Sequence, residues 1–197
     1  MSTTTILLVR HGRTAWTDER RLQGRTDIPL NDAGRREALA LRPQIQEWMP
    51  QRLIVSPACR ARATAELLTA GALPSVQDPR LQEAGLGEWE GLTAEEIGGD
   101  YRRWRAGVLT PSAGESRPQV RERVAAALRD AAASEGPVLM VTHGGVIRAA
   151  LEILVGLRTD QIVPVDAASL TVLEASAADL ARSRLRHYNL TAQAPVR

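Results

Sequence analysis

Short apolar runs alternate with longer amphipathic stretches along this chain. Continuous apolar runs bounded by glycine, proline or polar residues are typical of strands that helices cover on both faces. Such runs predict strands at residues 4–9, 53–55 and 138–142, a shorter strand at 76–78, and late strands at 169–174 and 182–188 near the sheet edge.

Capping residues mark the amino ends of the predicted helices. Asn31 or Asp32 can cap the first long helix, and Ser56 can cap the second with Pro57 in its first position. Ser116 opens a third with the spacing of a capping box. We expect helices at residues 32–48, 57–70, 117–133 and 146–155, with short helices between 79 and 116. A polar loop is expected from the end of the first strand to Asn31.

This alternation of strand and helix predicts an α/β fold, a three-layer α/β/α sandwich with a mostly parallel sheet. A length of 197 residues is most simply one domain, 1–197, with room for a substantial core.

Composition excludes several partners. The net charge is only +2, and its 25 basic residues, all arginine, are interspersed with acid, which does not indicate a nucleic-acid surface. A single cysteine forbids an internal disulfide and fits a reducing compartment. The apolar run after Thr5 is only four residues long, which is too short for the apolar segment of a signal peptide or for a membrane span. We therefore expect a cytoplasmic protein without a membrane partner.

Two histidines have the same sequence context. His11 and His143 each follow a predicted buried strand and stand beside glycine. Ligands of parallel sheets bind outside the carboxyl ends of the strands, so we expect the two side chains to meet there. The helix after Gly144-Gly145 would offer free amino-terminal N–H groups to an anion. The remaining histidine, His187, is assigned to structure.

Seven stretches carry a recognisable signature. They are Leu8-Val9-Arg10-His11-Gly12-Arg13-Thr14, Leu22-Gln23-Gly24, Asp27-Ile28-Pro29-Leu30-Asn31, Ser56-Pro57-Ala58-Cys59-Arg60-Ala61, Leu81-Gln82-Glu83, Gly87-Glu88-Trp89-Glu90-Gly91 and Val141-Thr142-His143-Gly144-Gly145. Together, and in this order, they resemble the histidine phosphatase superfamily, which includes the cofactor-dependent phosphoglycerate mutases. The resemblance implies a phosphoglycerate mutase-like version of the layered fold.

The resemblance implies catalytic roles for five residues. His11 matches the family's nucleophile; a neutral imidazole can carry a phosphoryl group if its other nitrogen has a fixed partner. Arg10 and Arg60 match two phosphate-binding arginines, whose planar forks bind two oxygens together. His143 matches a second phosphate-binding histidine, and Glu83 matches the acid that protonates the leaving alkoxide.

Residue chemistry alone does not choose among Glu83, Glu88 and Glu90; the family pattern selects Glu83. The resemblance also implies substrate contacts, which are assigned to Arg10, Thr17, Gln23, Gly24, Arg60, His143 and Gly144.

Three positions depart from the family pattern. Arg13 stands where glutamate is usual, Thr17 where asparagine contacts phosphate, and Ala63 where glutamine is common. The Thr17 hydroxyl can keep that contact at shorter reach. Arg13 is expected to widen the positive field or to pair with a carboxylate such as Glu115.

Three functions fit these residues. The first is a phosphomonoesterase that acts through phosphohistidine on a small phosphorylated substrate, without a metal or other cofactor. The second is a phosphoglycerate mutase, although mutases usually have a longer insertion than the 60 positions between Glu83 and His143. The third is a phosphate-binding protein without turnover, against which the complete five-residue set argues.

Other phosphatase chemistries fit less well. A cysteine phosphatase needs an arginine six positions after its nucleophile, where Ala65 follows Cys59. Lysine, which nucleotide-binding loops require, does not occur.

The exposed late strands favour a homodimer.

Overall fold

A six-stranded sheet lies at the centre of the structure, a computed structural model that describes residues 3–158 and 162–192. The strands are β1 (Thr3–Arg10), β2 (Arg52–Val55), β3 (Ser75–Gln77), β4 (Val138–Thr142), β5 (Leu170–Ser176) and β6 (Arg184–Leu190). Their order is β3-β2-β4-β1-β5-β6. The first four in this order are mutually parallel, whereas β5 is antiparallel to β1 and to β6.

The α-helices of the described residues are α1 (Ala15–Asp18), α2 (Asp32–Glu47), α3 (Cys59–Thr69), α4 (Ala94–Ile97), α5 (Gly99–Arg105), α6 (Arg117–Ala132) and α7 (Gly144–Val155). Four of them cover the two faces of the sheet. Helices α2 and α3 pack together on one face, and α6 and α7 on the other. The predicted three-layer α/β fold is confirmed. That residues 1–197 act as one domain stays a prediction.

The apolar runs serve both layers of the core. Along β1, Ile6 and Leu8 join the cluster under α6 and α7, while Leu7 and Val9 join the cluster under α2 and α3. All four side chains are buried, because successive residues of a strand point to opposite faces and both faces are covered. Burial on both faces explains why polar and apolar residues do not alternate along this strand.

Most predicted helix starts are confirmed. Of the two candidate caps, Asn31 is the one used, and its side chain accepts a hydrogen bond of 2.8 Å from the Gly34 N–H. Ser116 and Gln119 form the expected capping box. Within the described residues no helix combines the length and the apolarity needed to cross a bilayer.

Three local predictions need correction. Ser56 is not a cap: α3 begins at Cys59 after Ala58, and the Ser56 hydroxyl instead lies 2.8 Å from Nε2 of His143. The polar segment after His11 contains the helix α1, whose capping box from Thr14 to Thr17 the apolar pattern does not reveal. Of the two late strands, only β6 is at the edge, since β5 pairs with β1.

Two glycines bring the start of α2 against the loop that carries His11. A Cβ atom on Gly12 would overlap the backbone of Gly34, and a Cβ on Gly34 would overlap the backbone of Arg13. Backbone lies on both sides, so neither overlap can be relieved by turning a side chain. This contact fixes the loop immediately after His11.

We predict that Gly34→Ala lowers the free energy of unfolding by about 1–3 kcal/mol, because the added methyl group forces the two backbones apart. Urea denaturation measures this change.

The matched control is Gly99→Ala at the start of α5, where a Cβ would meet nothing within 4 Å. There the same substitution is expected to be neutral or to stabilise by up to about 1 kcal/mol, since alanine is the better helix former. Equal effects of the two substitutions would contradict the role given to the Gly12–Gly34 contact.

Candidate active site

His11 and His143 meet at the carboxyl ends of β1 and β4. The parallel register pairs Arg10 with Thr142, so the next residue of each strand leaves the sheet at the same level. The two imidazole centroids are 5.1 Å apart with an interplanar angle of 63°, and both side chains are buried. The structure thus brings the two rings together, as expected.

The His11 ring is held in one orientation. Its Nδ1 lies 2.8 Å from the carbonyl oxygen of Gly12, which can only accept, so Nδ1 carries the proton and Nε2 has the lone pair. The Arg60 Nε–H approaches that Nε2 at 3.3 Å. Burial, and then the charges of Arg60 and Arg10, lower the pKa of His11 well below its ordinary value. The ring is therefore neutral and nucleophilic near pH 7.

Two arginines flank this nitrogen. Arg60, in the first turn of α3, is buried and donates to the carbonyl oxygens of Gly24 and Thr26, both at 2.8 Å. Arg10 donates to the carbonyl oxygen of Val165 at 2.6 Å, while its buried Nε has no partner within the described structure. Burial lowers the pKa of both groups, yet arginine stays charged in proteins. The result is a desolvated positive field around His11.

Glu83 is held by backbone amides. Its Oε2 accepts a hydrogen bond of 3.0 Å from the Gly145 N–H and its Oε1 one of 2.9 Å from the Ala84 N–H. A Cβ at Gly145 would collide with this carboxylate, so the contact requires glycine. The expectation that the amino end of α7 is free for an external anion is thus wrong at Gly145, whose amide binds Glu83.

His143 has one occupied and one open ring nitrogen. Its Nε2 lies 2.8 Å from the Ser56 hydroxyl, and its buried Nδ1 has no partner in the described part of the chain. The Ser56 oxygen also lies 3.4 Å from the Ala58 N–H, a long contact compatible with the hydroxyl donating its own proton to Nε2. Burial, and then His11, lower the pKa of His143 well below its ordinary value. A proton on Nδ1 would then be available to an anion.

Two adjoining cavities lie around this cluster. The larger, of about 180 Å³, is lined by His11 and Arg10, and the smaller, of about 110 Å³, by His143. Both are also lined by Gly24, Arg60 and Glu83. The residues expected to act together therefore line two neighbouring cavities with a shared wall.

The substrate-binding assignments divide into two groups. Gln23, Gly24 and Gly144 line the larger cavity, and the buried Oε1 of Gln23 has no partner among the described residues. Thr17 does not line it; its hydroxyl lies 3.0 Å from the Gln23 amide nitrogen and 3.2 Å from the Thr14 N–H. A direct phosphate contact of Thr17 stays a prediction.

Arg13 pairs with carboxylates, as one of the two expectations had it, but Glu115 is not among them. Arg13 pairs with Asp18 at 3.1 Å and with Glu37 at 2.9 Å, and the hydrogen bond to Asp18 raises its pKa. Glu115 is bound instead by Arg123 at 2.7 Å and by Arg25 at 3.2 Å. Arg13 is half-exposed, and its two carboxylate partners compensate its charge.

Sequence reasoning did not find every residue of the site. Ser56 was interpreted only as a helix start, although its place after β2 is a usable signal, because β2 pairs with β4. Trp104, Arg105 and Arg148 also line the larger cavity. His187 is exposed and contacts the Trp48 ring, which agrees with a structural role.

Metal ligation has no candidate in the part of the chain that is described: no three His, Cys, Asp or Glu residues lie close enough to hold an ion.

Known proteins share this sequence and fold. The chain is 34% identical to a glucosyl-3-phosphoglycerate phosphatase of Mycolicibacterium vanbaalenii over 79% of its own length and 76% of the relative's. It is 36% identical to phosphoglycerate mutase-like protein 4 of Arabidopsis thaliana, over 75% and 69% of the two lengths. A mycobacterial glucosyl-3-phosphoglycerate phosphatase solved in complex with VO3 has a TM-score of 0.84 and 31% identity, over 94% of this chain and 98% of that chain.

The family model of the histidine phosphatase superfamily, branch 1, matches residues 6–189. This span contains His11, Glu83 and His143 and nearly all of the sheet. The resemblance inferred from the motifs is confirmed: the chain belongs to branch 1 of the histidine phosphatase superfamily, and its activity is that of a phosphatase.

Proposed function

We propose that the protein hydrolyses phosphomonoesters of small metabolites in two steps through a phosphohistidine at His11. The observation that carries the proposal is the neutral His11 ring, with Nδ1 held by a carbonyl and Nε2 directed to Arg60 at the cavity wall. A nucleophile fixed in this way needs no further activation.

In the first step the Nε2 lone pair of His11 forms a bond to phosphorus and the ester P–O bond breaks. Protonated Glu83 gives its proton to the departing oxygen, so the alcohol leaves neutral. In the second step the Glu83 carboxylate takes a proton from water, the water oxygen bonds to phosphorus, and the P–N bond breaks. Inorganic phosphate leaves, and the His11 lone pair is restored.

Two hydrogen-bond donors that lack partners among the described residues support a position for the transferred phosphoryl group beside Arg10 and His143. Arg10 Nε and His143 Nδ1 are buried without partners in the described structure. A dianionic phosphoryl group offers acceptors to both, and its charge is opposite to that of Arg10 and Arg60. Ser56 would act as a positioning residue by donating to Nε2 of His143 and so leaving the proton on Nδ1.

Isomerisation of phosphoglycerate is the second candidate, because one relative is named mutase-like. We favour hydrolysis, since another relative and its solved counterparts are named phosphatases of a phosphoglycerate derivative. That kind of compound is one candidate substrate for this chain.

We also propose a cytoplasmic location and no nucleic-acid or membrane partner, which the single Cys59 and the net charge of +2 support. The edge strand β6 supports a homodimer, because no other described strand pairs with its outer side, where a second copy could pair.

Replacing the nucleophile tests the mechanism. His11→Ala is expected to lower hydrolysis of any phosphoester by a factor on the order of 10⁴ or more, because no other group can accept the phosphoryl group. Rapid quenching of the unsubstituted protein with ³²P-labelled substrate should trap an acid-labile label that His11→Ala lacks.

His187→Ala is the control, since this exposed ring lies on β6 away from the cavity and should keep both label and activity. Full activity of His11→Ala would contradict the proposal. So would faster formation of 2-phosphoglycerate than of free phosphate from 3-phosphoglycerate.

Glu83→Gln separates proton donation from phosphate binding. We expect first-turnover cleavage of alkyl phosphates to fall about 10²–10⁴-fold, because the alkoxide must leave with a proton. With p-nitrophenyl phosphate, whose phenolate leaves without one, the fall should be about 10-fold or less. Stopped-flow measurement of the first turnover gives both rates; Glu88→Gln is the control, and equal losses on both substrates would argue against general acid catalysis.

The buried imidazoles predict how stability depends on pH. His11 and His143 have lowered pKa values when folded, so below about pH 6.5 the unfolded chain binds protons that the folded chain does not. Stability is fully present above that pH and falls as the pH decreases, by up to about 1.4 kcal/mol per pH unit for each imidazole. Urea unfolding between pH 7 and pH 5 measures the slope, which should become shallower in the double variant His11→Gln/His143→Gln. An unchanged slope would contradict the assignment.

A further inference from the structure

Arg148 is an arginine of the catalytic cavity that the phosphohistidine mechanism does not use. It lies on α7 one turn after Gly144, about 6 Å along the helix axis, and lines the same cavity as His11 and Glu83. Burial, and then the charge of Arg105, lower the pKa of its guanidinium. A cation withdrawn from water in this way costs free energy unless an anion compensates it.

The charge of the Glu83 carboxylate offsets this burial only in part, and no carboxylate among the described residues forms an ion pair with Arg148. Arg148 has neither a hydrogen bond nor an ion pair there, and its contact is the ring of Trp104, whose centroid lies 5.5 Å from its Cζ. Glu152, on the same helix, is bound by Arg117 at 3.0 Å and by Arg121. Glu83 is bound by the backbone amides of the active site.

Arg105 is a second arginine that lines this cavity. It lies at the carboxyl end of α5, lines the cavity together with Arg148, and has no hydrogen bond or ion pair within residues 3–158 and 162–192. Arg21, which also lines the cavity, differs because Glu19 at 2.8 Å and Glu96 at 3.5 Å neutralise it. Two guanidinium groups without an ion-pair partner in the described structure therefore face the same space.

We propose that Arg148, assisted by Arg105, binds a second anionic group of the substrate. The substrate would then be a compact phosphomonoester that also carries a carboxylate or a second phosphate. A guanidinium fork binds either group through two parallel hydrogen bonds, while Arg10 and Arg60 hold the phosphate that is cleaved. The inference rests on the proposed hydrolase function and specifies the substrate class for it.

Matched substrates test this proposal. 3-Phosphoglycerate and glycerol 3-phosphate differ at the end remote from phosphate, by a carboxylate against a hydroxymethyl group; fructose 1,6-bisphosphate and fructose 6-phosphate differ by a second phosphate. In at least one pair we expect a higher kcat/KM for the member that carries the second anionic group, which is called the anionic member below. Arg148→Met should lower kcat/KM for that member by about 10–100-fold and change the other by about 3-fold or less, because a bond between charged groups is lost only in the first case.

Arg121→Met is the charge-matched control. Arg121 is partly exposed on α6, pairs with Glu152 and does not line the catalytic cavity, so neither substrate should be affected. A preference for the carboxylate or for the second phosphate would each support the proposal and identify the group. No preference in either pair, or an equal loss on both members in Arg148→Met, would overturn it.

Binding separates this inference from the proposed function. The phosphonates 2-hydroxy-4-phosphonobutanoate and 3,4-dihydroxybutylphosphonate form a pair that cannot be hydrolysed, as do the bisphosphonate and monophosphonate analogues of the fructose esters. Calorimetry should show that the anionic member of a pair binds at least about 10-fold more tightly than the other member, and Arg148→Met should remove this difference in affinity. If turnover fails but this difference persists, the hydrolase proposal fails and the anion site stands; equal binding within both pairs overturns the anion site.

Discussion

The parallel pairing of β1 with β4 is the constraint on which the rest of the structure depends. It places His11 and His143 at the same level at the sheet edge, with their rings 5.1 Å apart. A shift of one residue would send each apolar side chain of β1 to the wrong helical layer, so the core strongly disfavours that shift. The packing of Leu7 and Leu8 therefore determines the geometry of a reaction that neither residue contacts.

The site combines positive charge with exclusion of water. Arg10 and Arg60 are desolvated beside His11, and Glu83 is the carboxylate that shares the larger cavity with them in the described structure. A phosphoester gains more from such a field than it would from the same arginines in water, because the effective dielectric constant is lower. The same field disfavours a proton on His11. One arrangement thus accounts both for attraction of a phosphoester and for a neutral His11 imidazole, the nucleophile of the proposed mechanism.

Sequence patterns predict the features that depend on nearby residues. The strands and the capping of α2 by Asn31 follow from apolar runs and local spacing. The meeting of His11 and His143 follows because each residue ends a strand of the same parallel sheet. Other contacts between distant segments have no such signal: Ser56 has its partner 87 residues later, and Arg13 pairs with Glu37 of α2 rather than with Glu115. Periodicity gives the element on which such a residue lies but not the residue that the fold places opposite it.

Helix α7 combines three elements of the site in one rigid body. It follows directly on His143, its Gly145 amide holds Glu83, and its next turn presents Arg148. Sliding or tilting this helix to admit a different compound would disturb the proposed proton transfer by Glu83 and the proposed phosphate binding by His143 at the same time. Divergence to new substrates is therefore easier by exchange of the side chain at position 148, or of those on α5, than by movement of the backbone, so that reaction chemistry and ligand choice can evolve separately.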